Sequence, residues 1–193
     1  MSHELEIRYG LSAEELLDAL NKRFRARVAL EGAVAEVHLE KKLKSLFEKK
    51  TINQYKHYDL DGFPDFEIWL SSLSNPLKVE CKNVRDSEEA YRQAGKIVAY
   101  KVETQKTRAS KGDKSSRFYD FHHFDILAVC LGKKTNDWQN FLFCRAVDLK
   151  RNKTFPNKLD VMHPVPLPDS EDLLFWFSDL TDLLRAHYQH SAR

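Results

Sequence analysis

Asp65, Glu80 and Lys82 are of the types that cleave phosphodiesters when they converge: two carboxylates to hold a divalent cation, and an ammonium to offset charge developing on phosphate. Glu80-Cys81-Lys82 closes the run Leu77-Lys78-Val79-Glu80-Cys81-Lys82-Asn83, and fourteen residues, 66 to 79, separate it from Pro64-Asp65. The triplet alone carries little weight, since an acid two places before a lysine arises by chance about once in a chain of this length. Its setting carries more. In a strand, Leu77, Val79 and Cys81 fall on one face and Lys78, Glu80 and Lys82 on the other. Asp65-Phe66-Glu67-Ile68-Trp69-Leu70 alternates in the same way, and 71–76 reads as the turn between two strands. Such a hairpin brings Asp65 near Glu80 on an exposed sheet face. Two carboxylates that close repel unless a cation lies between them. Mg²⁺ suits the position, taking one or two protein carboxylates and completing its shell with water and phosphate oxygens. Lys82 would then hold or deprotonate the attacking water. The competing reading is a solvated strand face with three charges, and the rest of the chain must decide.

The chain of 193 residues is long enough for one well-buried core, with or without a short appendage. Its 31% charged and 42% hydrophobic content, with a net charge of +2, describes a soluble globular protein and excludes a disordered tail. No apolar run reaches membrane-spanning length, and Met1-Ser2-His3-Glu4 lacks the start of a signal peptide. A cytoplasmic protein with no membrane partner is therefore expected. Cys81, Cys130 and Cys144 are odd in number and widely spaced, which fits reduced core thiols better than a disulfide framework or a zinc knuckle.

Ser12-Ala13-Glu14-Glu15 is a capping-box pattern that opens a helix through Leu16, Leu17, Leu20 and Phe24, expected to end before Gly32. A second helix is expected over 32–49 on a stripe of Val34, Val37, Leu39, Leu43, Leu46 and Phe47. Glu36 lies among these apolar positions, as a surface glutamate at the edge of the stripe or as a further ligand facing the sheet. A first strand is expected over 52–59. After Lys82, Asp86-Ser87-Glu88-Glu89 reads as the start of a crossover helix with Tyr91, Ala94, Ile97, Val98 and Lys101 at helical spacing. Phe124 to Leu131 is nearly continuous in apolar residues, the pattern of a strand buried on both faces. Strand, helix and buried strand together make a parallel unit. Trp138 to Cys144 then returns antiparallel after a turn at 133–137.

This order resembles the PD-(D/E)XK nuclease superfamily, which includes type II restriction endonucleases, Holliday-junction resolvases and repair nucleases. Residues 31–145 carry the resemblance. Pro64-Asp65 is similar to its first motif, Glu80-Cys81-Lys82 to its second, and Gly32-Ala33-Val34-Ala35-Glu36 to the start of its first core helix. The resemblance implies an α/β fold with a restriction-endonuclease-like αβββαβ core, a mixed central sheet flanked by helices, and here an extra C-terminal helix. It implies Mg²⁺, with Mn²⁺ able to substitute, bound by Asp65, Glu80 and the Cys81 carbonyl, with Lys82 acting on the water and Glu36 added to the catalytic set. It matches Gln93 to a glutamine that some members carry in the helix after the lysine strand. Ile97 stands where the exonuclease branch has a tyrosine, which points away from that branch.

A polyanion needs a route to such a site. Residues 101–117 carry Lys101, Lys106, Arg108, Lys111, Lys114 and Arg117 against Glu103 and Asp113, a local net of +4. That segment suits phosphate contacts, with Arg108, Arg117 and either Lys111 or Lys114 able to reach guanine edges, unless it is only a solvated loop. Asn83 and Arg85 extend the polar edge beyond Lys82. His122 and His123 read as rim residues before the buried strand, not as zinc ligands. From Leu159 to Leu184 there are six acids and no Lys or Arg. Pro164, Pro166 and Pro168 read there as a stiff connector to a helix capped by Ser170, expected to pack on the core in preference to a second subunit.

The expectation is a single nuclease domain over 1–193, with an N-terminal helix at 12–30, a core at 31–145 and a C-terminal appendage at 159–193. It is expected to act as a homodimeric Mg²⁺-dependent type II restriction endonuclease on double-stranded DNA. The alternatives are a structure-specific or repair nuclease of resolvase type, and a nucleic-acid-binding module that keeps the fold without catalysis.

Overall fold

The computed structural model describes residues 2–60, 62–86, 90–106 and 113–188, with the side chain of Lys114 left aside. Two compact units divide the chain, 1–34 and 35–193.

The first unit holds α1 (Glu4–Tyr9), α2 (Ala13–Asn21) and the start of α3 (Phe24–Glu48). The Ser12–Glu15 capping box forms as the sequence implies, and His3 with Glu6 caps α1 in the same reciprocal way. Neither α1 nor α2 buries a residue. The helix expected over 12–30 is instead broken at Lys22 and Arg23, and Gly32 lies inside α3. A glycine ends a helix by adopting positive φ. Gly32 is not among the glycines that do so, and nothing lies within 4 Å of where its Cβ would stand.

In the second unit β1 (Gln54–His57), β2 (Phe66–Trp69), β3 (Leu77–Asn83), β6 (Ile126–Cys130) and β7 (Phe141–Arg145) form a five-stranded mixed sheet in the order β1-β2-β3-β6-β7. β3 and β6 are parallel and the other neighbours antiparallel. This is the mixed α/β architecture with flanking helices that the sequence implies. Ala35, Leu39, Leu43 and Leu46 of α3 pack on one face with Leu180, Leu183 and Leu184 of α5 (Leu180–His187), against Phe66, Ile68, Leu77, Val79 and Cys81. The expected stripe is displaced by a fraction of a turn, which leaves Val37 and Phe47 half exposed.

The other face is covered by strands. The segment read as a crossover helix forms β4 (Ala90–Gln93) and β5 (Lys96–Glu103), joined with β8 (Met162–Val165) in a second sheet ordered β4-β5-β8. The reason is local. Ala94 (φ 48) and Gly95 (φ 80) both take the left-handed conformation that a two-residue hairpin turn requires, and no helix continues through it. The expected cap at 87–89 lies outside the described residues. Parallel β3 and β6 are thus linked through a β-hairpin, while β6 is buried at every position as expected. Its Leu127 and Val129 pack with Val102 of β5 and Val165 of β8. The turn before β7 contains a short helix, α4 (Gly132–Thr135).

The tail departs from expectation in two places. Pro164 sits in β8 opposite Lys101, tolerated there because β8 is an edge strand whose missing donor faces outward. The helix begins at Leu180 under Asp179 instead of Ser170. Leu174 has φ 54, and Phe177 exchanges two 2.8 Å backbone hydrogen bonds with Phe143, so this stretch extends the sheet edge. Its helix does pack on the core.

Candidate active site

Register assembles the site. β2 pairs Phe66 with Val79, and one further step along that register sets Asp65 opposite Glu80. Asp65 is fastened there: its Oδ2 accepts a 2.7 Å hydrogen bond from the Cys81 backbone N–H. Lys82, two residues past Glu80 on the same face, donates from Nζ to Glu80 Oε1 at 2.6 Å and lies 4.0 Å from Asp65 Oδ2. The hairpin therefore brings the three expected residues together. It does not leave them on an exposed face, since Glu80 is 3% accessible and the Asp65 and Lys82 side chains 23% and 25%.

Tyr119 buries Glu80. Its Oη donates to Glu80 Oε1 at 2.5 Å, and the Lys82 ammonium stands 5.8 Å from its ring centroid. His123 stacks on that ring, centroids 4.7 Å apart, and burial pushes its pKa down. Nothing in the spacing of Tyr119, thirty-nine residues from Glu80, marks it as a site residue. His123 is partly buried and His122 exposed, in keeping with a rim.

Glu36 projects from α3 toward β1, its Oε2 3.4 Å from His57 Nε2, and is a third accessible. His57 is held by stacking on Phe66 at 4.6 Å. Glu36 touches neither Asp65 nor Lys82 by hydrogen bond or ion pair, yet its charge adds to the field on Asp65.

Burial, then the Glu80 charge, lifts the Asp65 carboxyl to about 7 against the pull of Lys82. Lys82 behaves oppositely. Burial disfavours its charge, but Glu80 above all outweighs that and holds the ammonium above its usual value. It therefore stands beside the two carboxylates as a positive charge and a hydrogen-bond donor. Burial also raises the Tyr119 hydroxyl well above the ordinary phenol range, so it stays a donor.

Among the described residues no group of three or more His, Cys, Asp or Glu side chains is arranged to hold a metal ion. The donors at the site are two carboxylates with one shared face and one hydrogen-bonded cation. A hard divalent ion fits that chemistry when water and phosphate oxygens complete its shell. The Cys81 thiol lies in the helix-side core, so only its backbone carbonyl is available as a ligand.

The expected nucleic-acid contacts are dispersed. Asn83 ends β3, and Arg85 follows with its guanidinium on Glu103. Gln93 is exposed at the end of β4, on a hairpin and not on a helix. The Lys106 backbone N–H donates to the Arg117 carbonyl at 2.8 Å, closing the base of the basic loop. Lys114 opens a 3₁₀ turn, Lys114–Arg117, in which Arg117 is exposed. Arg108 and Lys111 lie outside the described residues.

No family model and no curated protein matches the chain. Among solved structures it is similar to a bacterial homing endonuclease, I-Ssp6803I, at 16% identity and a TM-score of 0.46, over 75% of this chain and 81% of that one. No helix of the described residues is long and apolar enough to cross a membrane.

Proposed function

We propose that the protein is a metal-dependent endonuclease of the PD-(D/E)XK type that hydrolyses phosphodiester bonds in double-stranded DNA. The observation that carries this reading is the convergence of Asp65, Glu80 and Lys82 at 2.6 to 4.0 Å on one strand pair, with burial first and then the Glu80 charge disfavouring the ionised form of Asp65. A structural ion pair needs one acid for one base. Here two acids crowd one lysine inside a largely buried site, an expensive arrangement that a bound divalent cation would relieve.

Asp65, Glu80 and the Cys81 carbonyl would hold Mg²⁺, or Mn²⁺ in its place, which when bound supplies charge neutralisation and water activation. The rest falls to the chain itself. Lys82, held charged by Glu80, donates to the attacking water or to a phosphate oxygen and offsets the negative charge that develops there. Tyr119 occupies one lone pair of Glu80 Oε1 and fixes the carboxylate's orientation. The Asp65–Cys81 hydrogen bond fixes the other acid. A homodimer cutting at a fixed sequence in the manner of a restriction enzyme is the finer form of the proposal.

The test is incubation of plasmid DNA with the protein in Mg²⁺ and in EDTA, with sequencing of product ends. Cleavage only with Mg²⁺, lost by orders of magnitude in folded Asp65→Asn and Glu80→Gln proteins that still bind duplex, is the expected result. Near wild-type cutting by either variant would sink the site assignment. Fixed ends support the restriction-type reading, whereas cutting confined to branched or mismatched duplexes replaces it with a repair nuclease.

A further inference from the structure

A second basic segment lies against the site from the C-terminal side. Residues 150–158 contain Lys150, Arg151, Lys153 and Lys158 and no acid. The loop is well defined. Asn152 Oδ1 accepts from the backbone N–H of Thr154 and Phe155 at 2.9 and 3.0 Å, and Asn152 N–H donates to the Lys158 carbonyl at 2.9 Å. Of the cations, Arg151 also donates to the Pro156 carbonyl at 3.4 Å, while Lys150 and Lys153 have no part in these bonds.

The loop is laced to the strip that carries Tyr119. Leu159 N–H donates to the Tyr119 carbonyl at 2.9 Å, and Phe121 N–H to the Asn157 carbonyl at 3.0 Å. Lys158 pairs with Asp120 at 2.7 Å, and Phe155 packs on Phe118 with ring centroids 5.6 Å apart. Tyr119, in the middle of this lacing, sends its hydroxyl to Glu80. The loop is thus one residue's breadth from the candidate catalytic carboxylates.

Its charges are presented outward. Lys150, Arg151 and Lys153 are exposed, and among the described residues none of them is paired with a carboxylate. Arg151 is also aimed: its guanidinium carbon stands 3.4 Å from the Phe121 ring centroid. Stacking immobilises a planar donor fork in a geometry suited to a phosphate, whose oxygens it can meet in pairs.

We infer that the 150–158 loop is a DNA-backbone clamp beside the active site, with Lys150, Arg151 and Lys153 contacting phosphates of the strand to be cut. The inference rests on the nuclease reading and adds a surface to it. This loop holds its cations on a hydrogen-bonded frame before any ligand arrives, so little ordering cost falls on binding.

The test compares binding of wild-type protein and a Lys150→Gln/Arg151→Gln/Lys153→Gln variant to a short DNA duplex in EDTA, across a range of salt. A control variant, Lys41→Gln/Lys44→Gln/Lys49→Gln, removes the same charge from exposed positions on α3 and in the turn that follows it. Each phosphate contact contributes about 0.9 to the slope of log affinity against log salt, so the loop variant should lose roughly 2 to 3 from that slope and the control almost nothing. Circular dichroism melts confirm that both variants are folded. An unchanged slope in the loop variant, or equal losses in the two, overturns the clamp while leaving the nuclease reading intact. Wild-type protein that binds no duplex overturns both, and a Lys150→Gln/Lys153→Gln variant decides the matter should loss of the Arg151 stack disturb folding.

Discussion

Lys82 separates a structural from a catalytic account most sharply. As a strand lysine on a solvated face it would be replaceable within about 0.5 kcal/mol. In the structure it is the countercharge of a carboxylate that is only 3% accessible, so Lys82→Ala should cost about 3 to 5 kcal/mol in metal-free protein. Added Mg²⁺ or Ca²⁺ should restore much of that melting temperature, because a divalent ion can take over the neutralisation. Cleavage should remain depressed by about 10²-fold or more even where stability is restored. A variant that cuts normally removes Lys82 from the mechanism. Asp65 adds a pH dependence of unusual sign. Its native value of about 7 exceeds the ordinary 3.8, so between those limits the native state keeps a proton that the unfolded chain has lost. Stability is fully present below 3.8 and declines as pH rises to about 7, by at most about 4 kcal/mol. Urea midpoints of metal-free protein should show that decline, and Asp65→Asn should flatten it. The trio itself was legible in the sequence because alternation in two strands fixes both faces. Tyr119 was not, since a loop residue brought in by tertiary packing leaves no periodic trace.

At the scale of elements, the β4–β5 hairpin shows how a helix-like pattern misleads. Tyr91, Ala94, Ile97 and Val98 have helical spacing, but the decisive pair is Ala94-Gly95 at positive φ. Asparagine at the first of these positions would have announced a hairpin, whereas alanine hides one. Ala94→Asn should therefore stabilise the protein by up to about 1 kcal/mol, read as a higher urea midpoint at unchanged slope. A loss of stability would mean that the turn is held by contacts to the alanine itself. Strands β2, β3, β6 and β7 were foreseeable, because strict alternation in the first pair and continuous apolar runs in the second admit few other structures. The break before α3 leaves no mark in the sequence, because the chain turns at Lys22 and Arg23 without Gly or Pro, while Gly32 continues the helix.

Across the whole molecule, the five-stranded sheet carries one layer of helices and one of strands, and the candidate active site opens on the strand side. The mixed sheet with a parallel β3 and β6 followed from the sequence, whereas the identity of its second cover did not, because covering layers are chosen by packing between distant segments. That architecture also gives the protein an internal gauge. Cys81, Cys130 and Cys144 lie one each on β3, β6 and β7, all buried, and burial lifts each thiol's pKa, so none is a ready nucleophile in the folded state. An alkylating reagent should reach them only when neighbouring strands part. Under native conditions the three should label together, at a rate that tracks the unfolding equilibrium across added urea. Faster labelling of Cys81 alone would show that the strand bearing the candidate site opens independently of the sheet around it. The sheet would then be clocked, strand by strand, by residues that take no part in its proposed chemistry.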